Sequence, residues 1–327
     1  QTGYLLALRF GLLPDEKAEQ RAISSLKAAI TNNNETLNTG FVGTGVINTT
    51  LSQVGLNDKA YNLLLQRRCP SWLYSVDQGA TTIWERWNSY TKETGFHKDI
   101  SMNSFNHYSY GAVAEWMYRY MAGIEADEKN AGFKNIILQP FPDTREELPQ
   151  GQERITSVDA TVESNYGNIK SAWKLDGDGS FSYNVTVPAN TTARLIIPTG
   201  EGRDVYESGT PAAEAEGVSY EGTTDGKAVF TLGSGSYSFS TNVTTDIKDE
   251  IKVTNDITVY PNPTSGQLYI KSGEPVVSVV LNDVAGNTVM AAGKDCDTLD
   301  ISSAGKGLYL LTVTTQNGSD TSKVIKK

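Results

Sequence analysis

The spacing of apolar residues changes period once along this chain, around "LQPFPDTREELPQGQ" (Leu138 to Gln152), and this change restricts the possible folds more than any other feature. Before it, apolar side chains recur at helical spacing. In "PDEKAEQRAISSLKAAI", Ala22, Ile23, Leu26, Ala29 and Ile30 form one stripe, Pro14 is expected in the first turn, and Asp15 and Glu16 favour the positive helix end. That stripe predicts core, and "TNNN" ends the helix. A second pair follows: "GVINTTLSQV" closed by Gly55, and "NDKAYNLLLQRR" with Asn57 as the expected N-cap. "NSFNHYSYGAVAEWMYRYMAGI" (Asn103 to Ile124) reads as one long helix. Short helices in hairpins predict an α-helical toroid or solenoid.

Beyond the change the period is two. "ITSVDATVES", "GNIKSAWKLDG", "GSFSYNVTVPANTTARLIIP" and "KAVFTLGSGSYSFST" are short β-rich runs parted by Gly, Asp-Gly and Pro-Ala-Asn turns, the pattern of an antiparallel sandwich. A polar stretch, residues 244–256, reads as a linker. From Ile257 to Lys327 alternation resumes in "ITVYPNPTSGQLYI", "VVSVVLNDVAGNTVM" and "GLYLLTVTT", which predicts a second, smaller, Ig-like sandwich. The fold class is therefore multidomain α and β. Its expected domains are a partial helical barrel over 1–125, a β-sandwich over 126–243, the linker, and a terminal domain over 257–327. A length of 327 residues accommodates roughly two or three domains of ~100–150 residues each.

Composition excludes several classes of partner. A formal net charge of −10 disfavours nucleic acid and anionic membrane surfaces. No apolar run approaches the ~20 residues of a membrane span. Cys69 and Cys296 fall in different expected domains and read as free thiols. With His97 and His107 the only histidines, a multi-histidine metal site is poorly supplied; carboxylates could bind calcium, and no metal or cofactor is assigned. "QTGYLLALRFGLL" opens with neither an initiator Met nor a basic leader, like a helix already under way.

The chemistry centres on "GATTIWERWNSY" (Gly79 to Tyr90), where Glu85 sits between Trp84 and Trp87. A carboxylate between two rings loses hydration, so it needs a partner or a task. Pairing with Arg86 or another base is one reading; acid–base work on a sugar is the other. His107, at the start of a predicted helix, reads from the residues as a satisfied core or helix-end histidine, and Phe105, Asn106 and Tyr108 beside it are left open. Glu115 stands four residues before Arg119 and is expected to pair with it. The glycine-rich Thr39–Gly45 stretch reads as a loop.

"TGFVGTG" (Thr39 to Gly45), "PSWLY" (Pro70 to Tyr74), "GATTIWERW" (Gly79 to Trp87) and "MNSFNHYSYGAVAEWMYR" (Met102 to Arg119) resemble, in order and spacing, the end of the catalytic domain of bacterial α-L-rhamnosidases, glycoside hydrolase family 78. "SNYGNIKSAWK" and "VTVPANTTARLIIP" resemble that family's C-terminal β-domain. "VYPNPTSG", "DVAGNTV", "GKGLYLLTV" and the final "SKVIKK" resemble the C-terminal sorting domain of the type IX secretion system of Bacteroidota. The resemblance implies an (α/α)6 barrel, a rhamnose-containing glycan or glycoside as substrate, and export through the periplasm to the outer-membrane surface or beyond by the type IX machinery.

The resemblance also implies inversion, with Glu85 as general base and His107 donating to a sugar hydroxyl. Trp84 and Trp87 are the adjacent candidates for lining the sugar pocket, joined by Trp72 and Tyr74. No second carboxylate here matches the family's general acid, which lies upstream in the barrel. About half of the twelve helices is represented. The chain is thus expected to be a C-terminal piece, inactive alone, whose uncovered helix faces need the N-terminal half of the barrel. Two alternatives stay open at this level: a non-catalytic carbohydrate-binding surface module, and a different (α/α)6 glycosidase.

Overall fold

A computed structural model describes residues 1–200, 203–243, 257–283, 286–316 and 318–327. It divides into two compact units, Gln1–Thr244 and Thr245–Lys327. The expected linker, residues 244–256, lies outside the described residues.

The first unit opens with six helices: α1 (Thr2–Arg9), α2 (Glu16–Asn32), α3 (Gly40–Thr44), α4 (Ile47–Gln53), α5 (Asn57–Leu64) and α6 (Trp72–Asp77). In α2 the expected stripe is core: Ala18, Ala22, Leu26 and Ile30 are buried at four-residue intervals, with Ile23 and Ala29 half-buried beside them. Its start differs by one residue from the reading above. Pro14 lies outside the helix, and Asp15 is the cap, its carboxylate accepting from the Ala18 amide at 2.7 Å. Asn57 does not cap α5. Leu56 holds that place, and the Asn57 side-chain oxygen Oδ1 instead accepts from Ser52 Oγ at 2.7 Å, while Ser52 Oγ accepts from the buried Trp116 indole at 2.8 Å. A tertiary contact thus takes the group that local sequence assigns to the helix end.

The expected long helix is shorter. Residues 103–107 are extended or turned, and the helical run covers Tyr108–Met121 only, as a 3-10 segment (Tyr108–Ala112), an α turn (Val113–Trp116) and a π turn (Met117–Met121) closed by Ala122 N to Met117 O at 2.8 Å. Glu115 and Arg119 pair across one turn as expected, and Arg119 also engages Glu125. Gly123 then turns the chain at φ +78°. A Cβ there would meet the Pro140 nitrogen at 2.2 Å, so only glycine fits.

From Ile124 the chain builds a sandwich. The strands are β3 (Ile124–Ala126), β4 (Asn135–Leu138), β5 (Ser157–Ser164), β6 (Gly167–Leu175), β7 (Phe181–Val187), β8 (Thr192–Pro198), β9 (Arg203–Glu207), β10 (Thr210–Pro211), β11 (Val218–Thr224), β12 (Lys227–Leu232) and β13 (Gly235–Val243), after a two-residue ladder of β1 (Tyr90–Thr91) with β2 (Gly95–Phe96). One sheet runs β10-β9-β13-β7-β6-β5 and the other β11-β12-β8-β4-β3. All pairs are antiparallel except β4 with β8. Strict alternation in β7, with Phe181, Tyr183, Val185 and Val187 inward, faces Leu195, Ile197, Phe230 and Leu232 across the core.

Helices and sandwich share side chains: Ile155 and Val158 pack against both cores, and the Trp173 indole and Ser171 hydroxyl donate to the carbonyls of Met121 and Ala122 at 2.7 and 2.5 Å. Deepest in this junction lies Arg145, 1% exposed. Its five N–H groups donate to both oxygens of the fully buried Asp143 (2.7 Å each), to Asn62 Oδ1 (2.8 Å), to Gln152 Oε1 (2.5 Å) and to the Glu153 carbonyl (3.2 Å).

The second unit pairs a three-stranded sheet, β14 (Thr258–Tyr260), β15 (Gln267–Lys271) and β18 (Thr298–Asp300), with a four-stranded sheet ordered β17-β16-β19-β20, in which β16 is Val276–Asp283, β17 Thr288–Ala292, β19 Gly307–Thr315 and β20 Gly318–Lys326. Its core includes Leu268, Val279, Leu281, Leu311 and Val324. The "VYPNPTSG" and "SKVIKK" segments, distant in sequence, hold each other: Thr264 exchanges backbone bonds with Ile325 and Lys327 at 2.9 Å, and Asn262 Oδ1 accepts from the Ile325 amide at 3.0 Å.

Removing the guanidinium leaves a buried carboxylate without its counter-charge, which typically costs about 3–5 kcal/mol. Arg145→Ala is therefore expected to lower the unfolding free energy of the first unit by about that amount. All five tryptophans lie in this unit, so urea unfolding followed by Trp fluorescence reads it directly. A loss below about 1 kcal/mol would contradict the structural role given to the pair.

Candidate active site

The site grows from the segment between α6 and the 3-10 turn. Ser71 caps α6, accepting from the Tyr74 amide at 3.2 Å, and the Ser75 hydroxyl donates to the Trp87 carbonyl at 2.8 Å, tying the Trp-Glu-Arg-Trp stretch to the helix. Residues 82–85 run antiparallel beside 104–107. The His107 amide donates to the Ile83 carbonyl (2.8 Å), the Glu85 amide to the Ser104 carbonyl (2.9 Å), and the Thr82 hydroxyl to the Phe105 carbonyl. This pairing explains why residues 103–107 are not helical: their backbone groups are already engaged. It also brings Glu85 and His107 to one locus.

Glu85 is half-buried. Its Oε2 accepts from the Ser104 amide at 3.0 Å, and Oε1 has no partner among the described residues. Arg86 does not pair with it. The guanidinium turns instead to Asp99 Oδ2 (2.9 Å) and His97 Nε2 (3.2 Å), and Asp99 also accepts from the Ser101 amide (3.0 Å) and hydroxyl (2.6 Å). The bonds from Ser101, followed by that from Arg86, hold the Asp99 carboxyl down to about 2. Arg86 thereby braces the 97–101 loop and leaves the Glu85 charge available.

Around Glu85 the rings form a continuous array. The His107 ring stacks on Phe41 at 4.9 Å, Phe41 lies 4.9 Å from Tyr110, Tyr110 stacks on Trp87 at 3.9 Å and 11°, and Trp87 meets Trp72 edge-on at 5.7 Å. The Trp72 indole donates to the Tyr110 carbonyl at 2.8 Å. Burial, and then the nearby Glu85 charge, push the Tyr110 phenol above its ordinary range. The ring nitrogens of His107 have no hydrogen-bond partner among the described residues. Trp72, Trp84 and Trp87, with Ile83 and Tyr110, line a small cleft of about 80 Å³. Ligand pockets are typically ~300–1,000 Å³, so these rings form a wall rather than a whole pocket.

Tyr74 is not part of this wall. It stands two residues after Trp72 on α6, on a different side of the helix, where burial and the neighbouring Cys69 and Glu93 raise its phenol. Tyr110 lines the small cleft and Tyr74 does not. Tyr110, Phe41 and Ser104 escaped the reading of the sequence, because only the fold puts them beside Glu85. Among the described residues no three His, Cys, Asp or Glu side chains gather to hold a metal ion, and no helix is long and apolar enough to cross a membrane. Cys69 and Cys296 are free thiols.

Residues 1–121 match the bacterial alpha-L-rhamnosidase six-hairpin glycosidase domain, and residues 123–211 the bacterial alpha-L-rhamnosidase C-terminal domain. These segments belong to the bacterial α-L-rhamnosidase family. Residues 258–327 match the secretion system C-terminal sorting domain, which marks the chain for type IX secretion to the cell surface or the extracellular space.

Similar proteins include an α-L-rhamnosidase of Formosa agariphila, 44% identical over 61% of this chain and 20% of that protein, and one of Streptomyces avermitilis, 39% identical over 73% of this chain and 21% of that protein. Among solved structures, the Streptomyces avermitilis α-L-rhamnosidase complexed with L-rhamnose superposes with a TM-score of 0.63 at 38% identity, covering 73% of this chain and 21% of that one. The α-L-rhamnosidase of Aspergillus terreus gives 0.59 at 29% identity, with coverage of 73% and 23%. The chain spans about a fifth of the length of the curated relatives it matches.

The Asp99 bonds carry a pH signature for this rhamnosidase segment. The carboxyl is depressed, so its support of the loop is fully present above its ordinary value of 3.8 and is lost as pH falls through about 2. In NMR the Ser101 amide should titrate near 2, and Ser101→Ala should move the Asp99 midpoint upward. A Ser101 amide titrating near 3.8 would show that these bonds do not form in solution.

Proposed function

We propose that this chain carries the general base and one wall of the sugar site of an inverting α-L-rhamnosidase that removes terminal α-L-rhamnose from glycans or glycosides. The observation that carries this reading is the state of Glu85. It is fixed by the Ser104 amide through one oxygen, free of Arg86, and left with a second oxygen beside an aromatic array. An ionised carboxylate so held can take a proton from a water molecule. Trp84 and Trp87 limit solvent and offer apolar faces to the sugar, Trp72 backs Trp87, and His107 donates to a hydroxyl. Family membership of the segment and the names of its relatives supply the sugar.

Inversion requires a second carboxyl ~6.5–9.5 Å from the first, with room for the water between. In this proposal the general acid and the opposite wall come from the part of the full-length enzyme that these 327 residues do not contain, and the chain alone is inactive. The small cleft beside the Trp wall agrees with that division. Exposed apolar side chains on the helical part, among them Phe10, Leu12, Val42, Phe96 and Ile100, are candidates for the surface that the missing helices cover.

In the full-length enzyme, Glu85→Gln is expected to lower kcat on an aryl α-L-rhamnoside by ~10²–10⁴ with KM changed only a few-fold. A variant that keeps its turnover would remove Glu85 from the chemistry. Proton NMR of early wild-type turnover should show β-L-rhamnose as the first sugar formed; α-L-rhamnose would refute inversion. For export, deletion of residues 257–327 should leave the enzyme in the periplasm, as read by cell fractionation, and undiminished surface delivery would refute a sorting role.

A further inference from the structure

At one end of the β-sandwich, β9 and β10 edge one sheet and β11 edges the other, and the short 3-10 turn Ala212–Glu214 crosses between them. Here the structure holds a cleft of about 510 Å³, within the range of small-molecule sites and remote in sequence from Glu85. Its floor includes Phe230, 2% exposed, and Tyr206 and Tyr220 stand in its walls.

Tyr220 is the anomaly. Alternation from the buried Val218 places it on the inner face of β11, directly opposite Phe230, yet it is 49% exposed. A β-bulge follows it, between Tyr220 and Gly222, with Gly222 at φ +132°, and bulges of this kind re-aim side chains. One side of the ring rests on Phe230 with centroids 5.3 Å apart, and its hydroxyl lies 2.7 Å from Thr223 Oγ1. Glu221, on the outer face, is occupied by Arg194 and Thr231. The Tyr220 ring is therefore braced, and its exposed part borders the cleft.

Polar groups converge on the same space. The exposed Asp204 carboxylate has no partner among the described residues. Arg203 gives Nη2 to the Asp178 carbonyl at 2.8 Å, while Nη1 is buried without an acceptor among the described residues. One carboxylate and one guanidinium cancel in charge, so the lining suits a neutral ligand. Ring faces that meet C–H groups, together with acceptors and donors for hydroxyls, are the complement of a pyranose.

We propose that this cleft is an accessory binding site for a pyranose unit of a neutral glycan, separate from the hydrolytic centre and independent of the reading given to Glu85. The test is affinity electrophoresis of the full chain in gels containing soluble mannan or rhamnan, two neutral polysaccharides. The wild-type chain is expected to be retarded by at least one of them. Tyr220→Ala should weaken that interaction about tenfold, the equivalent of ~1.4 kcal/mol. Tyr220→Phe, which keeps the ring, should retain most of it. Asp204→Ala, at an exposed position, supplies a second reading should the Tyr220→Ala chain fail to fold. Retardation reads binding and not turnover, so the outcome is scored apart from hydrolysis. Absence of retardation by either polymer, or equal retardation of wild type, Tyr220→Ala and Asp204→Ala, would overturn the proposal.

Discussion

The first unit is organised around a charge that water cannot reach. Moving a carboxylate and a guanidinium out of water costs several kcal/mol per ion, and their attraction offsets this only when geometry is good and the remaining donors are satisfied. Arg145 meets that condition: all five N–H groups have acceptors, and the Asp143 carboxylate also receives the Ile155 amide at 3.1 Å. The acceptors come from α5 (Asn62) and from the irregular chain between β4 and β5 (Asp143, Gln152 and Glu153). Tyr61 places its ring 5.8 Å from the guanidinium carbon and its hydroxyl on the Phe141 carbonyl. A network satisfied only when helix and loop are both in place couples their folding. It also fixes where the sandwich begins relative to the helices.

From that junction the site inherits its rigidity. Trp116, fully buried, packs edge-on against Tyr61 at 5.1 Å and bonds to Ser52, which anchors the helical run that begins at Tyr108. The residues just before that run, 104–107, pair with 82–85 and so carry the Glu85 and His107 backbones together. Tyr110, in the first turn, reaches back to stack on Trp87. The catalytic candidate thus sits on irregular chain, but that chain is held by hydrogen bonds and ring contacts to elements tied to the buried pair. This is the arrangement that a base working on a bound sugar needs, since small displacements of a reacting group are costly in rate.

Arg86 illustrates how a charge next to a carboxylate in sequence can be kept from pairing with it. Adjacent in sequence, Glu85 and Arg86 project into different surroundings because the chain bends there and enters a turn, closed by the Ser89 amide on the Arg86 carbonyl, instead of forming a helix. The guanidinium is engaged by Asp99 and His97, and the 97–101 loop is stabilised in exchange. A sequence reading had to leave the Glu85–Arg86 pair open. The fold decides it through the register of the 82–85 and 104–107 segments.

Much of this architecture was legible from residues alone. The change from helical to alternating spacing near Leu138 reflects a physical difference between one buried stripe and one buried sheet face. The ordered motifs, dense in Trp, Tyr and Gly, sufficed to connect residues 1–211 with the α-L-rhamnosidase domains, and they made Glu85, Trp72, Trp84, Trp87, His107 and Tyr74 the site candidates. What they could not supply was competition between local and distant partners. Asn57 looks like a cap until Ser52 claims it, and residues 103–107 look helical until residues 82–85 take their backbone groups. Sequence determined the periods, the motifs and the chemistry on offer, because these are properties of consecutive residues. Which groups meet, and therefore which carboxylate oxygen is left without a protein partner, only the tertiary structure decided, because each donor and each ring face can be satisfied once and the choice among partners is made in space.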